Sequence, residues 1–223
     1  MIWVNFKIYK ETFGDGAVKL AKICRGVSKK TGVKIIPVVS ALDLRQIKKE
    51  IGGEVWLQHL DIFFEGKHTG WVSPLAAVRA GADGVLLNHS EHKIPPGKIR
   101  QLLKVIKAKH LQVMIAVKTK GQVEHWLKKL RPRPDFVAYE SPELIGGKVS
   151  VAEAKPEAVS RIVKLLPDYQ VIVGAGVRSA DDVKKALKLG TKGILISFGV
   201  VKSKNPKEKL MELALAFKNA KKK

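Results

Sequence analysis

QVMIAVKTKGQVEHWLKKLRPRPDFVAYE, residues 112–140, decides the fold. It opens on an apolar run from Gln112, passes through a helical pattern over Gln122–Leu130, and returns to a second apolar run, DFVAY, from Asp135. Short Val/Ile/Ala-rich runs are the mark of strands covered on both faces, and two of them joined by a helix form a parallel crossover unit. The second run delivers a carboxylate, Glu140, to its C-terminal end.

The same unit recurs in both directions. Strands are expected at IWVNF from Ile2, VKIIPVV from Val33, VWLQHL from Val55, GVLLN from Gly84, QVIVG from Gln170 and GILIS from Gly193, making eight with the two above. Helices are expected over Ala17–Lys30, Asp43–Glu50, Pro74–Ala80, Gly97–Ala108, Pro156–Leu166, Ala180–Leu189 and Pro206–Lys221. Eight βα units either close into a barrel or lie open as a doubly wound sheet, and periodicity does not choose. The polar residues do. Asn5, His59, Asn88, Glu140, Gly174 and Ser197 fall at or just past the C-terminal ends of different strands. A (β/α)₈ barrel gathers its active site at that face, so an α/β barrel is the expected fold.

The chain has 223 residues, 45% hydrophobic and 28% charged, which suits one globular domain over 1–223. No apolar run has the length of a membrane span, and MIWVNFKIYKE lacks the long apolar core of a secretory signal, so a cytoplasmic protein is expected. Cys24 is the single cysteine, excluding an intrachain disulfide or a Cys-based metal site; it is expected to be a buried thiol on a helix. Against 20 acidic residues stand 42 Lys and Arg, a net charge of +22. Such a field attracts anions and admits a nucleic-acid or ribosome-associated partner. The lysines, however, sit on the polar sides of predicted helices with few aromatics between them, which favours a solvated surface around a phosphate-binding site.

Five segments can carry chemistry. Asn5 and Lys7 share one face at the end of the first strand. Asn88-His89-Ser90-Glu91 follows the fourth, where a helix N-terminus would hold the imidazole neutral and ready to donate a hydrogen bond. Glu140 precedes Ser141-Pro142-Glu143-Leu144-Ile145-Gly146-Gly147, a loop punctuated like a lid that would dry the carboxylate and raise its pKa. Gly174-Ala175-Gly176-Val177 and Ser197-Phe198-Gly199-Val200, after the seventh and eighth strands, suit a backbone cradle for phosphate. Singly, each has a plainer reading: a lysine entering a solvated loop, a surface histidine beside a capped turn, an ordinary loop, glycines needed for bends.

Together VNFKIY, LQHLD, KHTGWVSP, LLNHSE, AYESPELIG, VGAGV and LGTKGILISFGVVKSKNP, in that order, resemble the short archaeal type of triosephosphate isomerase over nearly the whole chain. The resemblance implies a TIM barrel that interconverts dihydroxyacetone phosphate and glyceraldehyde 3-phosphate without metal or redox cofactor. It implies Glu140 as catalytic base, His89 as neutral electrophile, Lys7 and Asn5 as binding and polarising groups, and Glu91 as support for the lysine. Ile145, Gly146, Gly174, Gly176, Ser197, Phe198 and Gly199 would then line the phosphate and lid loops. It also implies a homodimer or homotetramer, with Trp71 packing on a neighbouring subunit.

Three positions depart from that pattern. Ser141 stands where proline is usual and leaves the hinge with more conformations, Lys148 stands where glycine is usual, and Phe198 replaces a small residue at the phosphate turn. The net charge of +22 and the altered phosphate turn motivate a rival reading, a catalytically weakened basic barrel acting as a nucleic-acid or ribosome-associated binding protein. Another phosphosugar isomerase or lyase on the same barrel is disfavoured by the pairing of NHSE with AYESPELIG. His59 and His68 are expected to be structural or to lie at subunit contacts, and His92, His110 and His125 to lie at the surface.

Overall fold

Eight strands, β1 (Ile2–Asn5), β2 (Ile35–Val39), β3 (Trp56–Leu57), β4 (Gly84–Leu87), β5 (Gln112–Val117), β6 (Phe136–Tyr139), β7 (Gln170–Val173) and β8 (Gly193–Ile196), run parallel and pair in sequence order. Ile2, Trp3 and Val4 pair with Ile194, Leu195 and Ile196, which closes the barrel. The structure is a computed structural model and describes residues 1–63, 65–141, 144 and 150–220.

Around the strands lie α1 (Gly14–Thr31), α2 (Leu44–Ile51), α3 (Pro74–Arg79), α4 (Pro96–Ala108), α5 (Lys120–His125), α6 (Val151–Ala154), α7 (Pro156–Leu165), α8 (Ala180–Lys188), α9 (Phe198–Val201) and α10 (Pro206–Ala220). Three elements differ from the sequence reading. The helix expected over Gln122–Leu130 is broken, because Trp126 adopts φ −136°, outside the helical region, and Leu127–Lys129 form a separate 3₁₀ turn. The short helices α6 and α9 escape an apolar-periodicity search because each is four residues long. Ser150 caps α6, its hydroxyl accepting the Glu153 N–H at 3.2 Å.

Two-residue alternation sorts every strand into an outer and an inner set. Outward residues such as Ile2, Val4, Val85, Leu87, Val113 and Val137 pack with the apolar faces of the helices, including the buried Cys24 of α1. Inward residues Trp3, Ile36, Val38, Trp56, Leu86, Met114, Ala116, Phe136, Ala138, Ile172 and Leu195 fill the barrel. Trp3 meets Phe136 edge-on at 4.7 Å and Trp56 at 5.6 Å between centroids, the geometry favoured by aromatic quadrupoles. Space for these rings is left by glycine: a Cβ on Gly84 would strike the Trp56 indole, and one on Gly193 would come 3.1 Å from Trp3. At the N-terminal end, Asp83 accepts from the Val55 N–H just before β3 and Asp135 from the Val113 N–H of β5, and each also accepts from a helical lysine, Lys48 at 2.6 Å and Lys107 at 2.7 Å.

The alternation that fills the barrel also builds its open end. Two residues beyond inward-facing Trp3, Leu86, Ala138, Ile172 and Leu195 come Asn5, Asn88, Glu140, Gly174 and Ser197. Apolar packing below thus sets the register of the polar residues above.

Trp56→Ala removes the centre of the inner plug and should cost about 3–5 kcal/mol in denaturant titration. A loss below about 1 kcal/mol would mean that the interior collapses freely and does not set the register.

Candidate active site

Lys7 leaves β1 at φ +51°, in the left-handed region that a side chain enters only at a cost. Its neighbours hold it there. The Lys7 N–H donates to Asn5 Oδ1 at 3.1 Å, and Gln58 Nε2 donates to the Lys7 carbonyl at 3.0 Å. The ammonium is thereby directed over the barrel mouth, where it donates to Glu91 Oε1 at 2.5 Å, with only 12% of the side chain exposed.

Asn88 at the end of β4 is also left-handed, at φ +59°. Its amide donates to the Ala116 carbonyl at 2.8 Å, and its Oδ1 accepts the Ile94 N–H at 3.0 Å, closing the turn that carries His89. His89 is 8% exposed. Its Nδ1 accepts the Glu91 N–H at 3.2 Å. A neutral imidazole carries one proton, so this bond assigns it to Nε2, which faces Glu140 Oε1 at 3.3 Å. Burial pulls the imidazolium pKa down to about 4; Glu91 opposes the shift, and Lys7 and Lys93 add to it. The sequence reading attributed neutrality to a helix N-terminus. That cause is corrected: residues 89–92 form a turn, α4 begins only at Pro96, and burial comes first.

Glu140 is 1% exposed. Its Oε2 accepts the Ser90 N–H at 3.3 Å, and its buried Oε1 has no hydrogen-bond partner among the described residues. Burial raises its pKa to about 8, against the opposing pull of the Ser90 N–H, Lys93 and Lys7. Gly174 makes this placement possible, since a Cβ there would lie 2.7 Å from Glu140 Cγ. Ser141, next in the chain, is buried, and its hydroxyl accepts from Lys155 Nζ at 3.2 Å, a restraint that the sequence reading did not foresee.

Asn5, Lys7, His89, Gly174, Gly176, Ser197, Phe198 and Gly199 line one pocket, together with Arg178. Glu91 and Glu140 join it through Lys7 and His89. Gly176 is left-handed at φ +71°, and Gly199 lets its turn approach the Val177 carbonyl, which a Cβ would meet at 3.1 Å. The lid residues Pro142, Glu143, Ile145, Gly146 and Lys148 lie outside the described residues. Sequence reasoning missed three neighbours. Gln58 braces the Lys7 backbone, Lys93 donates to the Asn88 carbonyl at 3.3 Å, and Arg178 forms part of the pocket wall. Gln58 had a usable signal, being polar at the end of an apolar run. His59 and His92 stack at 3.9 Å between centroids, outside that pocket wall.

The chain is similar to known proteins over nearly its whole length. The family model described as triosephosphate isomerase matches residues 1–215. The chain is 43% identical over 217 residues to the triosephosphate isomerase of Methanothermus fervidus, an alignment covering 96% of each chain. It is 37% identical over 216 residues to that of Methanosarcina mazei, covering 95% of this chain and 96% of the relative. With that of Methanocaldococcus jannaschii it shares 34% over 217 residues, covering 96% and 98%.

The His89 pKa, lowered in the fold from 6.5, has a definite sign in linkage. Between about 4 and 6.5 the unfolded chain binds the extra proton, so His89 favours folding above this window and opposes it as pH falls. Nitrogen-15 NMR should show His89 neutral at pH 6, with the proton on Nε2. An imidazolium at that pH, or a proton on Nδ1, would contradict the assignment.

Proposed function

The chain belongs to the triosephosphate isomerase family and is an isomerase, and from this we propose that it interconverts dihydroxyacetone phosphate and glyceraldehyde 3-phosphate through an enediolate, with Glu140 as the base. The observation that carries the reading is convergence. A neutral imidazole and a lysine line one pocket together with Gly174, Gly176 and Gly199, and the imidazole stands 3.3 Å from a buried carboxyl.

The reaction moves one proton between adjacent carbons, and each group answers one of its demands. In its ionised form Glu140 removes the proton from the carbon beside the carbonyl and returns it to the neighbouring carbon. A carboxylate that has lost its hydration is the stronger base for this step. Negative charge develops on the two oxygens, where His89 donates through Nε2–H and the Lys7 ammonium supplies positive charge. A neutral donor suits His89, because an imidazolium would hand its proton to the carboxylate facing it. Lys7 keeps its place through Glu91, and Asn5 holds the Lys7 backbone.

The phosphate belongs at the other wall. Gly176 and Gly199 allow close backbone approach, and the first N–H groups of α9 have no acceptors within their own helix. Gly174 links the two walls, because its missing side chain is where Glu140 fits. The substrate is therefore held at one end by backbone and worked on at the other by side chains. In the proposed homo-oligomer, Trp71 is the natural contact: it is 53% exposed and packs against Phe63, which stacks on His68.

Glu140→Gln keeps the shape and removes the base. It should lower kcat by roughly 10² to 10⁴-fold in a coupled assay for triose phosphate conversion. The same variant should gain stability relative to wild type as pH rises from about 4.5 to 8, because over that window the unfolded wild type has ionised this carboxyl while the fold still holds it protonated. Activity within about tenfold of wild type would remove Glu140 from the base role.

A further inference from the structure

We propose that Lys93 is a positioning residue of this site: by binding the Asn88 carbonyl with its ammonium, it fixes the loop that sets both the His89 ring and the Ser90 N–H against Glu140. The inference deepens the isomerase reading and rests on it only in naming the reaction that the loop serves.

The loop after β4 meets Glu140 twice. Asn88 opens it in the left-handed region at φ +59°. His89, the next residue, stands 3.3 Å from Glu140 Oε1, and the Ser90 N–H donates to Glu140 Oε2 at 3.3 Å. The Glu91 N–H then donates to His89 Nδ1 at 3.2 Å. A rotation of the Asn88 peptide would therefore move the electrophile and the hydrogen-bond donor of the base together. Left-handed backbone at a residue other than glycine persists only where its surroundings hold it.

Two bonds close this loop on itself. Asn88 Oδ1 accepts the Ile94 N–H at 3.0 Å, and the Asn88 carbonyl accepts from Lys93 Nζ at 3.3 Å. The first joins neutral groups; the second brings a cation, and charge-assisted bonds are the stronger kind. Surface lysines ordinarily bury the stem and keep the ammonium in water. Lys93 is exposed as a residue, yet burial of its ammonium holds its pKa below the usual lysine range, with Lys118 adding to the lowering and Glu140 opposing it. The charged and titratable groups that face Glu140 are Lys7 from the end of β1 and His89, Glu91 and Lys93 from this loop; Lys118, just past β5, acts on Lys93. Lys7 lines the substrate pocket, whereas Lys93 stands outside its wall. Its effect on the reaction therefore passes through His89, Ser90 and Glu140.

The test compares wild type, Lys93→Met, Lys93→Arg and Lys118→Met on the full chain, by triose phosphate kinetics across pH and by carbon-13 NMR titration of Glu140. Both lysines are exposed, so these changes leave the core intact. On the pH-independent plateau Lys93→Met should lower kcat by roughly tenfold, short of the roughly 10²- to 10⁴-fold expected for loss of the base itself, with KM within about twofold of wild type. It should also raise the Glu140 midpoint, because a cation that favours the carboxylate is gone, and the acid limb of the kcat/KM profile should move up with it. Lys93→Arg keeps a cation and an N–H donor and should recover most of kcat and the original midpoint. Lys118→Met removes a nearby charge without touching the clamp and should leave both close to wild type. The proposal is overturned by an unmoved Glu140 midpoint in Lys93→Met, by a kcat within about twofold of wild type, or by a raised KM with kcat kept, which marks a substrate contact. Equal losses in Lys93→Met and Lys118→Met would also overturn it, since general charge would then suffice. Because the midpoint is read without turnover, an inert wild type whose Glu140 midpoint still rises on Lys93→Met would refute the isomerase reading and leave the positioning of Glu140 standing.

Discussion

Glu140 sits at the inward end of β6 with its carboxyl closed off from water, and the rest of the site is arranged around that burial. An acid in such a place keeps its proton well above the ordinary range, here to about 8, and becomes a strong base once ionised. Three neighbours temper this cost without removing it. The Ser90 N–H supplies one hydrogen bond, and Lys7 and Lys93 supply positive charge from the barrel mouth. One oxygen is left without a hydrogen bond among the described residues, facing His89. A more fully satisfied carboxylate would be easier to bury and a poorer base.

Burial acts on His89 with the opposite sign, and this asymmetry lets the two groups stand 3.3 Å apart with separate roles. The same dry environment that holds a proton on the acid keeps one off the imidazole. Folding stability is therefore drawn in two directions: the histidine disfavours the fold as pH falls, the glutamate as pH rises. The aromatic interior beneath carries this tension. Trp3, Trp56 and Phe136 fix the strands whose next inward positions bear the chemistry, so the site rests on packed apolar side chains more than on its own polar contacts.

Much of this was legible in the sequence, for reasons that differ by residue. The strands were visible because residues such as those of β5 and β6 are apolar on both faces, and Asn5, Asn88 and Glu140 stood out as polar groups at the ends of such runs. Left-handed backbone at Lys7 and Asn88 was not visible, since neither is glycine and the conformation is held by Gln58 and by the Asn88 amide. The break at Trp126 was hidden because its apolar side chain continues the helical pattern while its φ does not. His89 was expected to be neutral through a helix dipole and is neutral through burial, a three-dimensional quantity that no local motif encodes. Arg178 was overlooked because an arginine in a turn of a chain with net charge +22 looks like one more solvated cation until Phe198 is seen beneath it.

The protonation state of the Glu140 carboxyl governs the chemistry proposed for the site. Carbon-13 NMR titration of glutamate-labelled protein, with Glu140→Gln used to assign the resonance, measures it directly. A midpoint near 8 is the predicted result. A midpoint near the ordinary 4.5 would show a solvated carboxylate and contradict the buried base.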